Sequence, residues 1–161
     1  MAKSIRKHAL IYIAVATLVL FLDLLTKKMA EVYLADRDIS LLPFLHLVLI
    51  YNKGVAFGFF SNAPDFLRLP LLLITPLLAL AITFLYAIRS KDAFVSILMG
   101  MVGGGALGNL YDRALLGKVR DFIYLSYGGL SWPAFNLADA SISIAITLLL
   151  LRGFFLRDKN K

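Results

Sequence analysis

Residues 69–88 carry no charged side chain, and neither do residues 93–111. A helix needs about 20 consecutive apolar residues to cross the hydrocarbon core of a bilayer. Two such runs in a chain of 161 residues leave little room for a soluble fold. Two further runs, 9–28 and 133–152, are apolar apart from a few polar residues, among them Asp23 and Asp139. The chain is 60% hydrophobic, well above a soluble domain. The expected fold is therefore a single all-α integral membrane domain of four transmembrane helices, with spans at about 9–28, 69–88, 93–112 and 133–152.

The first run follows Lys3, Arg6 and Lys7, as the core of a signal peptide would. It has no clear small-x-small cleavage site, and Asp23-x-x-Thr-Lys27 follows directly, so it reads as a retained helix. Pro70 falls in a first turn, where proline is tolerated, and Pro76 is expected to kink the second span. Residues 39–51 are apolar but too short to span. Their Val, Ile and Tyr content and the following Asn-Lys-Gly turn signal predict strands, in a small extracytoplasmic β and loop region at about 36–66.

Four spans place both termini on one side. That side collects Lys3, Arg6, Lys7, Arg89, Lys91, Arg152, Arg157, Lys159 and Lys161 against Asp92 and Asp158, so 9 − 2 = +7. The other side holds the remaining eight bases and eight acids. The whole net charge thus lies on one face, which the positive-inside rule makes cytoplasmic. The charge follows membrane topology, and no nucleic-acid partner is expected. With no cysteine, and only His8 and His46 as imidazoles, neither a metal site nor a cofactor is expected.

This topology gathers polar residues from distant parts of the chain near the outer surface. Asp23 and Lys27 share a helix face at i, i+4, as do Asn109 and Arg113. Asn52 and Asp121 fall on outer connections, and Asp139 lies two turns or less below the outer end of the fourth span. Each has a plainer reading. Lys27 could pair with Asp23 while reaching the headgroups. Asn52 could belong to a tight turn. The glycines at 100, 103–105 and 108 suit close helix packing. Asp112 faces away from Asn109 and reads as a surface partner. Asp121 alone would be an ordinary loop acid. Asp139 has no such reading, because a carboxylate inside a span normally serves transport, proton relay or catalysis. Asn136, three residues earlier, could orient it, and the Arg120 cation would lower the pKa of Asp121.

Two converging carboxylates would repel, and one would keep its proton. That arrangement lets one aspartate activate water while the other hydrogen-bonds an amide carbonyl. A transporter or channel would instead space acids through the membrane depth. A scaffold would not need them to converge at all.

Asp23-x-x-Thr-Lys27, Asn52-x-Gly54-x-Ala-Phe57, Gly104-Gly105-Ala-Leu-Gly-Asn109-Leu-Tyr-Asp-Arg113, Val119-Arg-Asp121-Phe-Ile and Phe135-Asn136-Leu-Ala-Asp139 occur in that order. Together they resemble the lipoprotein signal peptidase (signal peptidase II) family of bacteria, over essentially the whole chain. The resemblance implies an aspartic endopeptidase of the bacterial cytoplasmic (inner) membrane, with its site near the outer leaflet. Its substrates would be diacylglyceryl-modified prolipoproteins, cut on the N-terminal side of the lipidated cysteine. Asp121 and Asp139 would be the catalytic pair. Asp23, Lys27, Asn52, Gly54, Gly105, Asn109, Arg113 and Asn136 would bind or orient substrate and dyad. The family needs no metal, and nothing demands more than a monomer in contact with membrane lipid. Phe57, Phe59 and Phe60 are expected to close over the lipidated residue.

Overall fold

The computed structural model describes residues 2–54 and 64–158. Four helices account for most of them: α1 (Ala2–Tyr33), α2 (Asp65–Ser90), α3 (Ala93–Leu116) and α4 (Leu137–Asp158). All four contain segments long and apolar enough to cross a membrane. Their boundaries follow local chemistry. Lys91 takes a left-handed conformation (φ 54°) and ends α2. Asp92 then caps α3, accepting the N–H groups of Phe94 at 2.8 Å and Val95 at 3.3 Å. Its carboxyl also pairs with Arg152 of α4, which together with these two amides holds its pKa below the usual carboxylate range. Gly117, at φ 66°, closes α3 by donating its N–H to Arg113 O.

α3 is the central helix: 56% of its most apolar stretch is buried, against 22% or less for the others. Its glycines explain the close approach of its neighbours. A Cβ on Gly104 would lie 2.5 Å from Ala16 O of α1, and one on Gly105 would lie 2.7 Å from Ala138 O of α4. Tyr12, Ala16, Ala87, Val95 and Met99 form the core of the α1, α2 and α3 contact. Large apolar side chains such as Leu18, Phe21, Leu77 and Leu150 point outward, as a lipid-facing bundle requires.

A four-stranded antiparallel sheet joins the helices at one end: β1 (Ile39–Leu42), β2 (Leu45–Asn52), β3 (Val119–Tyr127) and β4 (Leu130–Phe135), in that order. Residues 39–51, predicted to form strands, supply β1 and β2, and β2 runs one residue further to Asn52; residues 55–60 lie outside the described residues. β3 and β4 differ from expectation. Asp121 is on a strand rather than a loop, opposite Ile50 of β2. Pro133 is on β4 rather than in the first turn of a helix, so the fourth helix starts at Leu137. The β3–β4 hairpin turns on Gly128 and Gly129, at φ 57° and 82°, the conformation a two-residue hairpin loop needs. Phe122 packs beneath the sheet on Ala30 and Leu34, fixing β3 over the end of α1.

Candidate active site

The site begins with the way α4 starts. Asn136 is its cap, and its Oδ1 accepts the Asp139 N–H at 3.0 Å. Asp139 Oδ2 accepts the Asn136 N–H at 3.4 Å in return. This reciprocal pair is a capping box, so Asp139 is fixed at the third helical position with its carboxylate at the helix mouth. Asp23 of α1 adds a cap from outside, its Oδ1 accepting the Ala138 N–H at 2.9 Å. Orphan amides of the helix terminus therefore have partners.

Asn136 also connects the two carboxylates. Its Nδ2 lies 2.8 Å from Asp121 Oδ1, 3.1 Å from Asn109 Oδ1 and 3.3 Å from Arg120 O. Two N–H groups are shared among those three acceptors. Asn109 Nδ2 donates to Asp139 Oδ1 at 2.8 Å, and Asn52 Nδ2 donates to Asp121 Oδ2 at 3.1 Å. Each aspartate is thus held by asparagine amides from other elements. Asp121 is 2% exposed. Burial, and then the charge of Asp139, push its pKa up to about 7, against the smaller opposing effects of Asn52, Asn136 and Lys27. The expected lowering by Arg120 does not occur. The Arg120 guanidinium turns to Asp112, with Nη2 2.6 Å from Oδ1, and to Glu31, with Nη1 3.1 Å from Oε2.

Behind the carboxylates lies a buried ionic layer. Lys27 Nζ is 2.7 Å from Asp23 Oδ2, 3.1 Å from Asn109 Oδ1 and 3.5 Å from Asp112 Oδ2. All three charged side chains have no exposure. Two readings are corrected here. Lys27 does not reach toward headgroups, because three buried oxygens hold it inward. Asp112 is not a surface group, because Arg120 and Lys27 enclose it.

A cavity of about 520 Å³ opens in front. Asp121, Asp139, Asn52, Asn109 and Arg113 line it together with apolar side chains of β3, β4 and α4. A second hollow of about 580 Å³ continues along the sheet and shares Leu125 and Trp132 with the first. Gly54 braces the rim: its N–H donates to Asn52 Oδ1 at 2.8 Å, and its carbonyl accepts Arg113 Nη2 at 3.4 Å. Asp23, Lys27 and Gly105 do not line the cavity. The first two support it from behind, and Gly105 is a contact point of α3 with α4. Phe57, Phe59 and Phe60 lie outside the described residues.

Residues 15–155 match the family model described as signal peptidase (SPase) II. The chain belongs to the signal peptidase II family. It is 59% identical to a lipoprotein signal peptidase of Aquifex aeolicus (strain VF5), over 100% of this chain and 96% of the relative. It is 42% identical to one of Sulfurihydrogenibium sp. (strain YO3AOP1), over 96% and 97%. Its structure is similar to a bacterial membrane enzyme solved by the in meso method at 2.3 Å, with a TM-score of 0.81, 27% identity and coverage of 93% and 91%. As a signal peptidase II, it is a protease on a membrane-helix scaffold.

Sequence reasoning did not bring Asp112, Arg120 and Glu31 together as parts of this candidate site. Asp112 and Arg120 carried a usable signal, opposite charges flanking the sharp turn at Gly117. Ser143, one turn beyond Asp139, also lines the cavity. It shares the Asp139 face at i, i+4, which the sequence alone could have indicated.

Proposed function

We propose that this protein removes signal peptides from diacylglyceryl-modified prolipoproteins, as an intramembrane aspartic endopeptidase acting on the N-terminal side of the lipidated cysteine. One observation carries the reading: Asp121 and Asp139 meet through Asn136 at one apolar-walled cavity, on β3 and at the mouth of α4. Asp121, with its pKa raised to about 7, is the partner that holds a proton at neutral pH. It donates a hydrogen bond to the scissile carbonyl. Asp139, its carboxylate steadied by Asn109, takes a proton from water as that water attacks. The proton then reaches the leaving nitrogen. Arg113 and Asn52, on the cavity wall, bind the substrate backbone on either side of the cut.

The substrate explains the apolar walls. Its lipid tails and signal helix are already in the bilayer, so the scissile bond arrives at headgroup depth. With the positive termini on the cytoplasmic side, the sheet end of the bundle faces the outer leaflet. The buried charges of α1 and the carboxylates of α3 and α4 beside the sheet all belong to that end, which favours interfacial chemistry over a transport path.

The deciding experiment is cleavage of a diacylglyceryl-modified prolipoprotein by purified protein, beside Asp121→Asn, Asp139→Asn and unlipidated substrate. The proposal requires that wild type cuts only the lipidated form and that both folded variants are inactive. A variant with near-normal turnover would make its aspartate structural.

A further inference from the structure

One residue ties three helices to the strand that carries Asp121. We propose that Arg120 is a positioning residue for the Asp121–Asp139 pair, an assignment that rests on the protease reading above. Successive strand residues point to opposite faces. On β3 the Asp121 carboxylate faces the cavity, and the Arg120 guanidinium faces α1 and α3. Asp112 grips residue 120 three times: Oδ2 accepts its backbone N–H at 3.0 Å and its Nε–H at 3.1 Å, and Oδ1 accepts Nη2 at 2.6 Å. Glu31 of α1 takes the remaining arm at 3.1 Å. The Arg120 carbonyl then accepts from Asn136, the cap of α4. The peptide adjoining Asp121 is therefore pinned to α1, α3 and α4 at once.

Asp112 has a second route to the dyad. It contacts Lys27, which donates to Asn109, which donates to Asp139. The same carboxylate thus sets the strand bearing one aspartate and the amide holding the other. The energetics favour a geometric role. A buried ion pair is often no more stabilising than apolar side chains of similar volume, so its contribution is better sought in fixing one arrangement. Arg120→Met should still fold, because Lys27 remains beside Asp112 as a counter-charge.

The test is steady-state cleavage of a diacylglyceryl-modified prolipoprotein by full-length wild type, Arg120→Met, Arg120→Lys and Glu31→Gln, with Asp121→Asn as the inactive control. A small displacement of a reacting group costs up to about a hundredfold in rate. Arg120→Met should lose between about tenfold and a hundredfold in kcat, with KM within about twofold. Arg120→Lys keeps the charge but not the planar fork and should recover little of that loss. Glu31→Gln should lose about threefold in kcat alone. Wild-type kcat in folded Arg120→Met, beside a dead Asp121→Asn, overturns the assignment. If Arg120→Met does not fold, Glu31→Gln decides, and unchanged kcat there rejects it. A wild type that cuts nothing removes the protease reading, and this assignment with it.

Discussion

Replacing Asp121 by Asn should stabilise the protein at neutral pH and above while stopping cleavage. In the fold, the Asp121 pKa is raised from 3.8 to about 7 by burial and by Asp139. Its folded pKa exceeds its unfolded one, so the folded state binds the extra proton. Wild-type stability is then greatest below the unfolded pKa and falls as pH rises toward the folded one. At about 1.4 kcal/mol per pH unit, the loss over that window is about 4 kcal/mol. Asparagine cannot ionise and does not suffer it. It does sacrifice a contact. Asp121 accepts from both Asn52 and Asn136, and an amide has only one oxygen. Asn52 cannot simply reverse its amide, because its Oδ1 already accepts the Gly54 N–H. One lost hydrogen bond costs about 1 kcal/mol. Asp121→Asn should therefore be less stable than wild type by about 1 kcal/mol below about pH 4, and more stable by about 3 kcal/mol above about pH 8. Denaturant unfolding in a fixed detergent, followed by Trp132 fluorescence at several pH values, measures the difference. A difference that does not change with pH would refute the reasoning, because it would mean that Asp121 titrates alike in the folded and unfolded states.

The same raised pKa sets the activity profile. If Asp121 must be protonated, kcat/KM should fall as pH rises through about 7, and a rate flat to about pH 9 would assign the proton elsewhere. Asn136→Ala removes the cap of α4 and should cost about 1 kcal/mol of stability. It also removes a hydrogen bond that lowers the Asp121 pKa, so any residual activity should persist to higher pH in a pH–rate series. Lys27→Met leaves Asp23 buried without its cation, while Asp112 keeps Arg120, and should cost about 3–5 kcal/mol in denaturant unfolding. Gly105→Ala places a Cβ against the Ala138 carbonyl and should cost about 1–3 kcal/mol, with the melting temperature as the readout.

The helices were legible because an uncharged run such as 69–88 admits few folds other than a span. The strands were legible only in part. Residues 39–52 announced themselves by β-branched content and a turn signal. β3 was hidden by Arg120 and Asp121, which read as a polar loop until their partners are known. Those partners, Ile50 and Tyr51 of β2, lie far away in sequence. The start of α4 was misplaced because the apolar run that holds Asp139 reaches back to Pro133. Asn136 and Asp139, at the spacing of a capping box, were the better signal. Asp139 stood out because a carboxylate beside hydrocarbon needs a reason, whereas Asp121 and the asparagines at 52 and 109 entered the candidate site with the family motifs. Asp112 was misread because helical geometry gives its direction on α3 but not what lies there. Lys27 comes from α1 and Arg120 from β3, and their meeting is a product of the whole fold.

The site is assembled from five separate pieces of chain, and the last to be made is the cap of α4 that carries Asp139. A nascent chain whose first three helices are already inserted has Lys27 beside Asp23 and Asp112, but Asn109 still lacks Asp139, the carboxylate it is to hold. When β3 emerges, Asp121 still lacks the amide of Asn136. If the two aspartates are the catalytic pair, as proposed, proteolytic competence arrives with the entry of the final helix. On the proposed mechanism a half-built copy lacks its carboxylate pair, so the order of synthesis would delay cleavage until the last helix is in place.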